Sequence, residues 1–293
     1  MKKTLIVQAP AKINVGLWVK NKRPDGFHEL DTFFQTISLM DSITLHESFE
    51  EGIRVTCNNR SVPTGEDNIA FRAARIFLQK VGIEPALDIH IEKRIPMAAG
   101  LAGGSTDAAA VLTGLARLYE RTVTPAEFME MAAFLGSDVP FLIRGGLARG
   151  TGRGEKLEFY EQPKNPITVV IVMPNDVSVS TKWCYENYTP SNNELKARSF
   201  EMILEAFQNR DFACLKRVVF NDLESVTLQR YPIIQKIKEL LASTGDGVVL
   251  MSGSGPAVFG LFDTKQKALF ALKALNGLPI DVYIEHTCKK NRV

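Results

Sequence analysis

Residues 12–20 alternate: Ile13, Val15, Leu17 and Val19 share one face, and Lys12, Asn14, Gly16 and Trp18 the other. A period of two predicts a half-buried strand. A lysine on its second face either snorkels to solvent or pairs with an anion. Residues 33–40, 43–46 and 53–57 continue the strand pattern. Residues 67–80 change period, with Ile69, Ala73, Ile76 and Phe77 at helical spacing. Residues 87–95 alternate again, Leu87, Ile89 and Ile91 opposing Asp88, His90 and Glu92. A small-residue loop, 96–104, then opens into a helix whose buried stripe is Ala108, Val111, Leu112, Leu115 and Leu118. Thr124 and Pro125 start another helix, Glu127 completing a capping box, and Gly136 ends it. Residues 145–154 are glycine-rich and read as a loop.

Residues 167–173 form a continuous apolar run suited to a fully buried strand. Helical stretches follow at 200–207, 212–219 and 233–241, then strands at 248–251 and 257–262 joined by the glycine-rich 252–255. A helix at 265–275 and a strand at 282–287 close the chain. Strand, helices, strand, strand, helix, strand is the ferredoxin-like order. Pro163, Asn165 and Pro166 mark a connector. The expectation is therefore an α+β chain of two domains, 1–160 and 161–293.

A length of 293 residues accommodates two domains and a sizeable core. With 35 basic and 33 acidic residues the formal charge is only +2, which argues against a nucleic-acid or anionic-membrane partner. The small basic clusters, Lys20 with Lys22 and Arg23 and Lys289 with Lys290 and Arg292, read as a solvated turn and a solvated end. Cys57, Cys184, Cys214 and Cys288 form no C-x-x-C pair and read as reduced structural thiols. The apolar stretch 5–7 is too short for a signal peptide, and no run approaches the roughly 20 apolar residues that span a bilayer. A cytoplasmic protein, monomeric or homodimeric, is expected.

The chemistry concentrates in Pro96-Met97-Ala98-Ala99-Gly100-Leu101-Ala102-Gly103-Gly104-Ser105-Thr106. Small residues let backbone approach a ligand, and the helix that follows presents unpaired N–H groups and the positive end of its dipole. That is an anion site suited to polyphosphate, with Ser105 and Thr106 adding hydroxyls for phosphate or magnesium; the plainer reading is a strand-to-helix turn. No Walker A lysine and no G-x-G-x-x-G is present. Residues 135–141 carry Asp138 at a helix end, as a turn aspartate or as the carboxylate partner of Lys12 in phosphoryl transfer. The stretch 251–256, Met-Ser-Gly-Ser-Gly-Pro, is either a hairpin connection or a loop that meets a ligand backbone-first.

These three glycine-bearing or acidic segments, in this order, resemble the motifs of the galactose, homoserine, mevalonate and phosphomevalonate (GHMP) kinase superfamily over essentially the whole chain. Residues 96–106 are similar to its P-x-x-x-G-L-x-G-G-S-S loop, with Thr106 replacing serine and Ala102 a frequent glycine. Residues 10–14 (Pro-Ala-Lys-Ile-Asn), 23–29 (Arg-Pro-Asp-Gly-Phe-His-Glu) and 135–141 resemble the branch whose acceptor carries a cytidine diphosphate. The resemblance implies a ribosomal-protein-S5-like N-terminal domain and a ferredoxin-like C-terminal domain with the site between them. It implies ATP and Mg2+, Asp138 as catalytic base, Lys12 as the polarising cation, and Asn14 on the substrate side. Phe27 and His28 would hold the cytosine, though Phe27 and His28 otherwise merely close a hairpin. Tyr185 would supply a second aromatic wall or pack the rim, and Asn68 and Lys93 would lie on the adenine side. No metal ligands are nominated. Another GHMP kinase, acting on homoserine or mevalonate, and a non-catalytic sensor on the same fold remain the alternatives.

Overall fold

The computed structural model describes residues 2–189 and 200–289; Lys290 and Arg292 of the basic tail lie outside them. Two long strands open the chain, β1 (Thr4–Lys22) and β2 (His28–Glu47), and run antiparallel. Gly26 at φ 85° closes the turn between them, with the Arg23 N–H donating to the Phe27 carbonyl at 2.7 Å. β3 (Gly52–Cys57), α1 (Ile69–Val81) and β4 (Ala86–Glu92) follow. Then come α2 (Gly103–Leu118), α3 (Pro125–Leu135), α4 (Val139–Arg144), β5 (Leu147–Gly152) and β6 (Lys156–Tyr160). The sheet order is β3-β4-β2-β5-β6, with β1 along β2.

The second sheet holds β7 (Thr168–Pro174), β8 (Val248–Met251), β9 (Val258–Phe262) and β10 (Ile280–His286), in the order β10-β7-β9-β8. All its pairings are antiparallel. Between β7 and β8 lie α5 (Thr181–Asn187), α6 (Phe200–Gln208), α7 (Phe212–Val218), α8 (Glu224–Arg230) and α9 (Pro232–Ala242). The helix α10 (Lys265–Leu272) joins β9 to β10. This is the ferredoxin-like arrangement expected from the sequence.

Three apolar clusters hold these layers together. Ile43, Leu45, Ile89 and Ile91 of the first sheet pack under α1 and α2. Ile13, Val15, Phe33, Ile37 and Leu39 from its other face meet Val169, Ile171, Phe259 and Leu261 of the second sheet. Val170, Val172, Val258 and Phe262 pack under α9 and α10. β7 is thus buried on both faces, which is why 167–173 lacks polar alternation. Two readings of the sequence change, one of a loop and one of a strand. Residues 145–154 contain strand β5, because Gly150 leaves room for the Phe34 ring: a Cβ there would stand 2.5 Å from it and 2.9 Å from the Gly154 carbonyl oxygen. The alternation in β1 is broken by a register shift between Asn14 and Gly16. Trp18 therefore joins Ile13 and Val15, whereas Leu17 and Val19 join the cluster beneath α9. The strand is buried on both faces over residues 9–19 rather than half-buried.

The basic turn divides likewise: Arg23 pairs with Asp25 and Glu29, Lys20 with Asp31, and Lys22 faces a cavity. The four cysteines carry free thiols. Among the described residues no helix is long and apolar enough to cross a membrane.

Gly150→Ala should overpack the Phe34 contact and lower stability by about 1–3 kcal/mol. A urea titration with an unchanged midpoint would show that the ring yields freely.

Candidate functional site

One cavity of about 800 Å³ lies between the two sheets' loops and gathers most of the chemistry-bearing residues. Its first wall is the start of α2. Ala102 holds a left-handed conformation, φ 58°, and offers no side-chain cap to the helix. The first-turn N–H groups of a helix have no intrahelical partner, and here no side chain replaces one. Ala98, Ala99, Gly100, Ala102, Gly103, Gly104 and Ser105 all line the space. The third glycine stretch buttresses this loop. Ser252 Oγ donates to the Gly100 carbonyl at 3.0 Å, and the Ala257 N–H donates to the Ala99 carbonyl at 3.3 Å. Gly100 sits at φ 75°, and a Cβ on it would lie 2.0 Å from the Ser252 carbonyl oxygen, so only glycine permits the approach. Residues 252–255 are accordingly both the β8–β9 connection and part of the wall, through Gly253 and Ser254.

The floor is β1. Lys12, 4% exposed, sends its ammonium to Asn14 Oδ1 at 2.7 Å and lies 3.5 Å from Asp138 Oδ2. Asn14 Nδ2 donates to Thr32 Oγ1 at 2.7 Å, and Thr32 donates to the Gly16 carbonyl at 2.8 Å. Both ends of the Asn14 amide are therefore engaged within the protein, orienting Lys12. The Phe34 ring lies 5.6 Å from the Lys12 ammonium. Asp138 precedes α4 and makes no cap bond with its side chain, which is 30% exposed toward the cavity. A carboxylate that the helix does not use remains open to a ligand.

The far end is aromatic. His28 and Tyr185 stack with centroids 5.5 Å apart and planes 26° from parallel, and Tyr188 meets His28 edge-on at 6.4 Å. Burial, then Lys22, holds the His28 imidazole below the ordinary histidine range, so it is neutral at pH 7. Burial and the Asp138 charge raise the Tyr185 phenol. Phe27, 51% exposed, lies under the Arg153 guanidinium at 4.7 Å.

Several expected positions stand elsewhere. Pro96, Met97 and Leu101 do not line the cavity; the Leu101 carbonyl instead accepts from the Lys12 N–H at 3.1 Å. The Thr106 hydroxyl is buried and donates to the Pro10 carbonyl at 2.8 Å, so of the two neighbouring hydroxyl residues Ser105 lines the cavity and Thr106 does not. Asn68 caps α1, accepting from the Ala70 N–H at 2.8 Å and donating to the Pro63 carbonyl at 2.6 Å. The Lys93 ammonium lies between Asp41 and Asp107, outside the cavity lining. Conversely Lys22, read from the sequence as part of a solvated turn, lines it, as do Thr32, Ser137, Arg153, Thr181, Lys182 and Glu186, which were not nominated. Only Arg153 carried a local signal, sitting between two glycines of a tight turn.

Residues 68–146 match the family described as GHMP kinases N terminal domain, and residues 203–279 that described as GHMP kinases C terminal. A 4-diphosphocytidyl-2-C-methyl-D-erythritol kinase from Bacillus pumilus (strain SAFR-032) is 42% identical over 279 residues, 95% of each chain. One from Geobacter metallireducens (strain ATCC 53774 / DSM 7210 / GS-15) is 43% identical over 276 residues, 93% of this chain and 94% of the other. A crystal structure of 4-(cytidine 5'-diphospho)-2C-methyl-D-erythritol kinase superposes with a TM-score of 0.80 at 34% identity, covering 96% of this chain and 98% of that one. Homoserine kinase from Cytophaga hutchinsonii ATCC 33406 shares the fold, with a TM-score of 0.77 at 19% identity over 99% of this chain and 96% of that one.

Gly100→Ala should cost on the order of 3 kcal/mol by forcing residues 100 and 252 apart at a left-handed position. Chemical denaturation measures it, and a loss below about 0.5 kcal/mol would mean the two loops are not locked.

Proposed function

The chain belongs to the GHMP kinases, within the 4-diphosphocytidyl-2-C-methyl-D-erythritol kinase family, and from that premise we propose that it phosphorylates the 2-hydroxyl of 4-diphosphocytidyl-2-C-methyl-D-erythritol with ATP, a step of non-mevalonate isoprenoid synthesis. The observation that carries this reading is the Lys12–Asp138 pair, 3.5 Å apart, between an uncapped helix start and a stacked His28–Tyr185 pair in one cavity.

In this reading the start of α2 receives the ATP phosphates through backbone N–H groups and the helix dipole. Asp138 accepts the proton of the acceptor hydroxyl as its oxygen attacks the γ-phosphorus. The bond from that phosphorus to the β–γ bridging oxygen breaks, and ADP departs. An ammonium has three N–H donors. With one turned to Asn14 and one facing Asp138, Lys12 retains capacity for an oxygen of the transferring group. At the far end, a neutral His28 offers one ring nitrogen as donor and one as acceptor to a base edge. Tyr185 and Phe27 supply ring faces for stacking, and Arg153 extends that wall.

Among the described residues no group of three His, Cys, Asp or Glu side chains is arranged to hold a metal ion. Magnesium would enter with the phosphates of the nucleotide, and Ser105 Oγ, which lines the same space, would be a protein oxygen available to it. When bound, magnesium neutralises phosphate charge during transfer. We divide the chain near residue 160, and we place the protein in the cytoplasm as a monomer or homodimer.

Asp138→Asn should lower kcat by about 10³-fold or more, while the affinity for ATP changes less than about threefold. A variant with near-normal kcat would remove Asp138 from the role of base. His28→Ala should raise KM for the cytidylyl acceptor roughly tenfold by deleting a stack and a hydrogen bond, leaving KM for ATP unchanged. Equal increases in both constants would detach His28 from the base.

A further inference from the structure

Lys93 stands behind the glycine loop. Its ammonium lies 2.5 Å from Asp41 Oδ2 and 2.9 Å from Asp107 Oδ2, and the three side chains are all at most 5% exposed. Asp41 belongs to β2, and its second oxygen accepts from the N–H groups of Arg94 at 2.6 Å and Ile95 at 2.9 Å. Asp107 belongs to the opening turns of α2. One ammonium thus ties β2, whose Asp41 holds the loop's entry at residues 94 and 95, to the helix that leaves the loop at residue 103. Gly103 closes on the same point, where a Cβ would stand 3.1 Å from the Lys93 ammonium and 3.2 Å from Ile95 Cγ2. Asp107 Oδ1 is buried without a hydrogen-bond partner.

We propose that Lys93 is a positioning residue for the nucleotide: by bridging Asp41 and Asp107 it fixes the distance between the two ends of the loop, and with it the aim of the α2 N–H groups. This rests on the ATP reading above.

Calorimetry with a non-hydrolysable ATP analogue, steady-state kinetics and thermal unfolding test this on wild type, Lys93→Met and Asp107→Asn. A wild-type chain that binds no analogue overturns the kinase reading and this inference together. With binding established, Lys93→Met should raise KM for ATP about tenfold while kcat and acceptor KM change less than about twofold. A folded Lys93→Met with unaltered ATP binding, or with both KM values raised equally, overturns the inference alone. Asp107→Asn weakens the same bridge from its other end, so it serves if Lys93→Met fails to fold: its KM for ATP should rise severalfold while kcat and acceptor KM change less than about twofold, and an unaltered KM for ATP overturns the proposal.

Discussion

An ammonium group placed 4% exposed on a strand must be met by acceptors, because an unpaired buried charge is prohibitively costly. Lys12 meets that demand with Asn14 and Asp138, and satisfying Asn14 in turn recruits Thr32 and the Gly16 carbonyl. The chain of partners fixes the rotamers around the cavity floor before any ligand arrives. It also explains the register shift in β1: the strand has to offer Lys12 and Asn14 to the cavity and then supply Leu17 and Val19 to the opposite sheet. A regular strand would have sent Trp18 there instead.

The same constraint orders the electrostatics. Four basic and three acidic side chains line the cavity: Lys12, Lys22, Arg153 and Lys182 with Asp25, Asp138 and Glu186. Lys93, whose side chain is 5% exposed, is kept out of that space by two carboxylates. A site for two polyanionic ligands gains from cations it can lend and from a helix start it has not capped. α2 and Lys12 provide these from opposite sides.

The sequence was most legible where period and punctuation agree. The capping box at Thr124, the alternation of Leu87, Ile89 and Ile91 and the buried run of β7 are local patterns, and each forms the predicted element. The order of strands and helices in the second half was enough to give its sheet topology. What was not legible depended on partners distant in the chain. β5 reads as a loop until Phe34 is seen to require Gly150. Lys93 was read for a ligand role, and in space its ammonium also meets Asp41, 52 positions away. Thr106 offers a hydroxyl on paper that the Pro10 carbonyl takes in space. Asp138 and Lys12 were legible as residue types, whereas their 3.5 Å approach was not, since 126 positions separate them.

The contact between the carbonyl of Gly100 and the hydroxyl of Ser252 spans 152 positions, and the one between Asn14 and Ser252 spans 238. Closing such long loops carries its entropy cost before any contact repays it. During synthesis the helix start, the lysine and the carboxylate are all made long before the serine that braces them leaves the ribosome. A nascent or truncated chain ending ahead of that serine therefore lacks the brace, and competence for catalysis waits on the synthesis of residue 252.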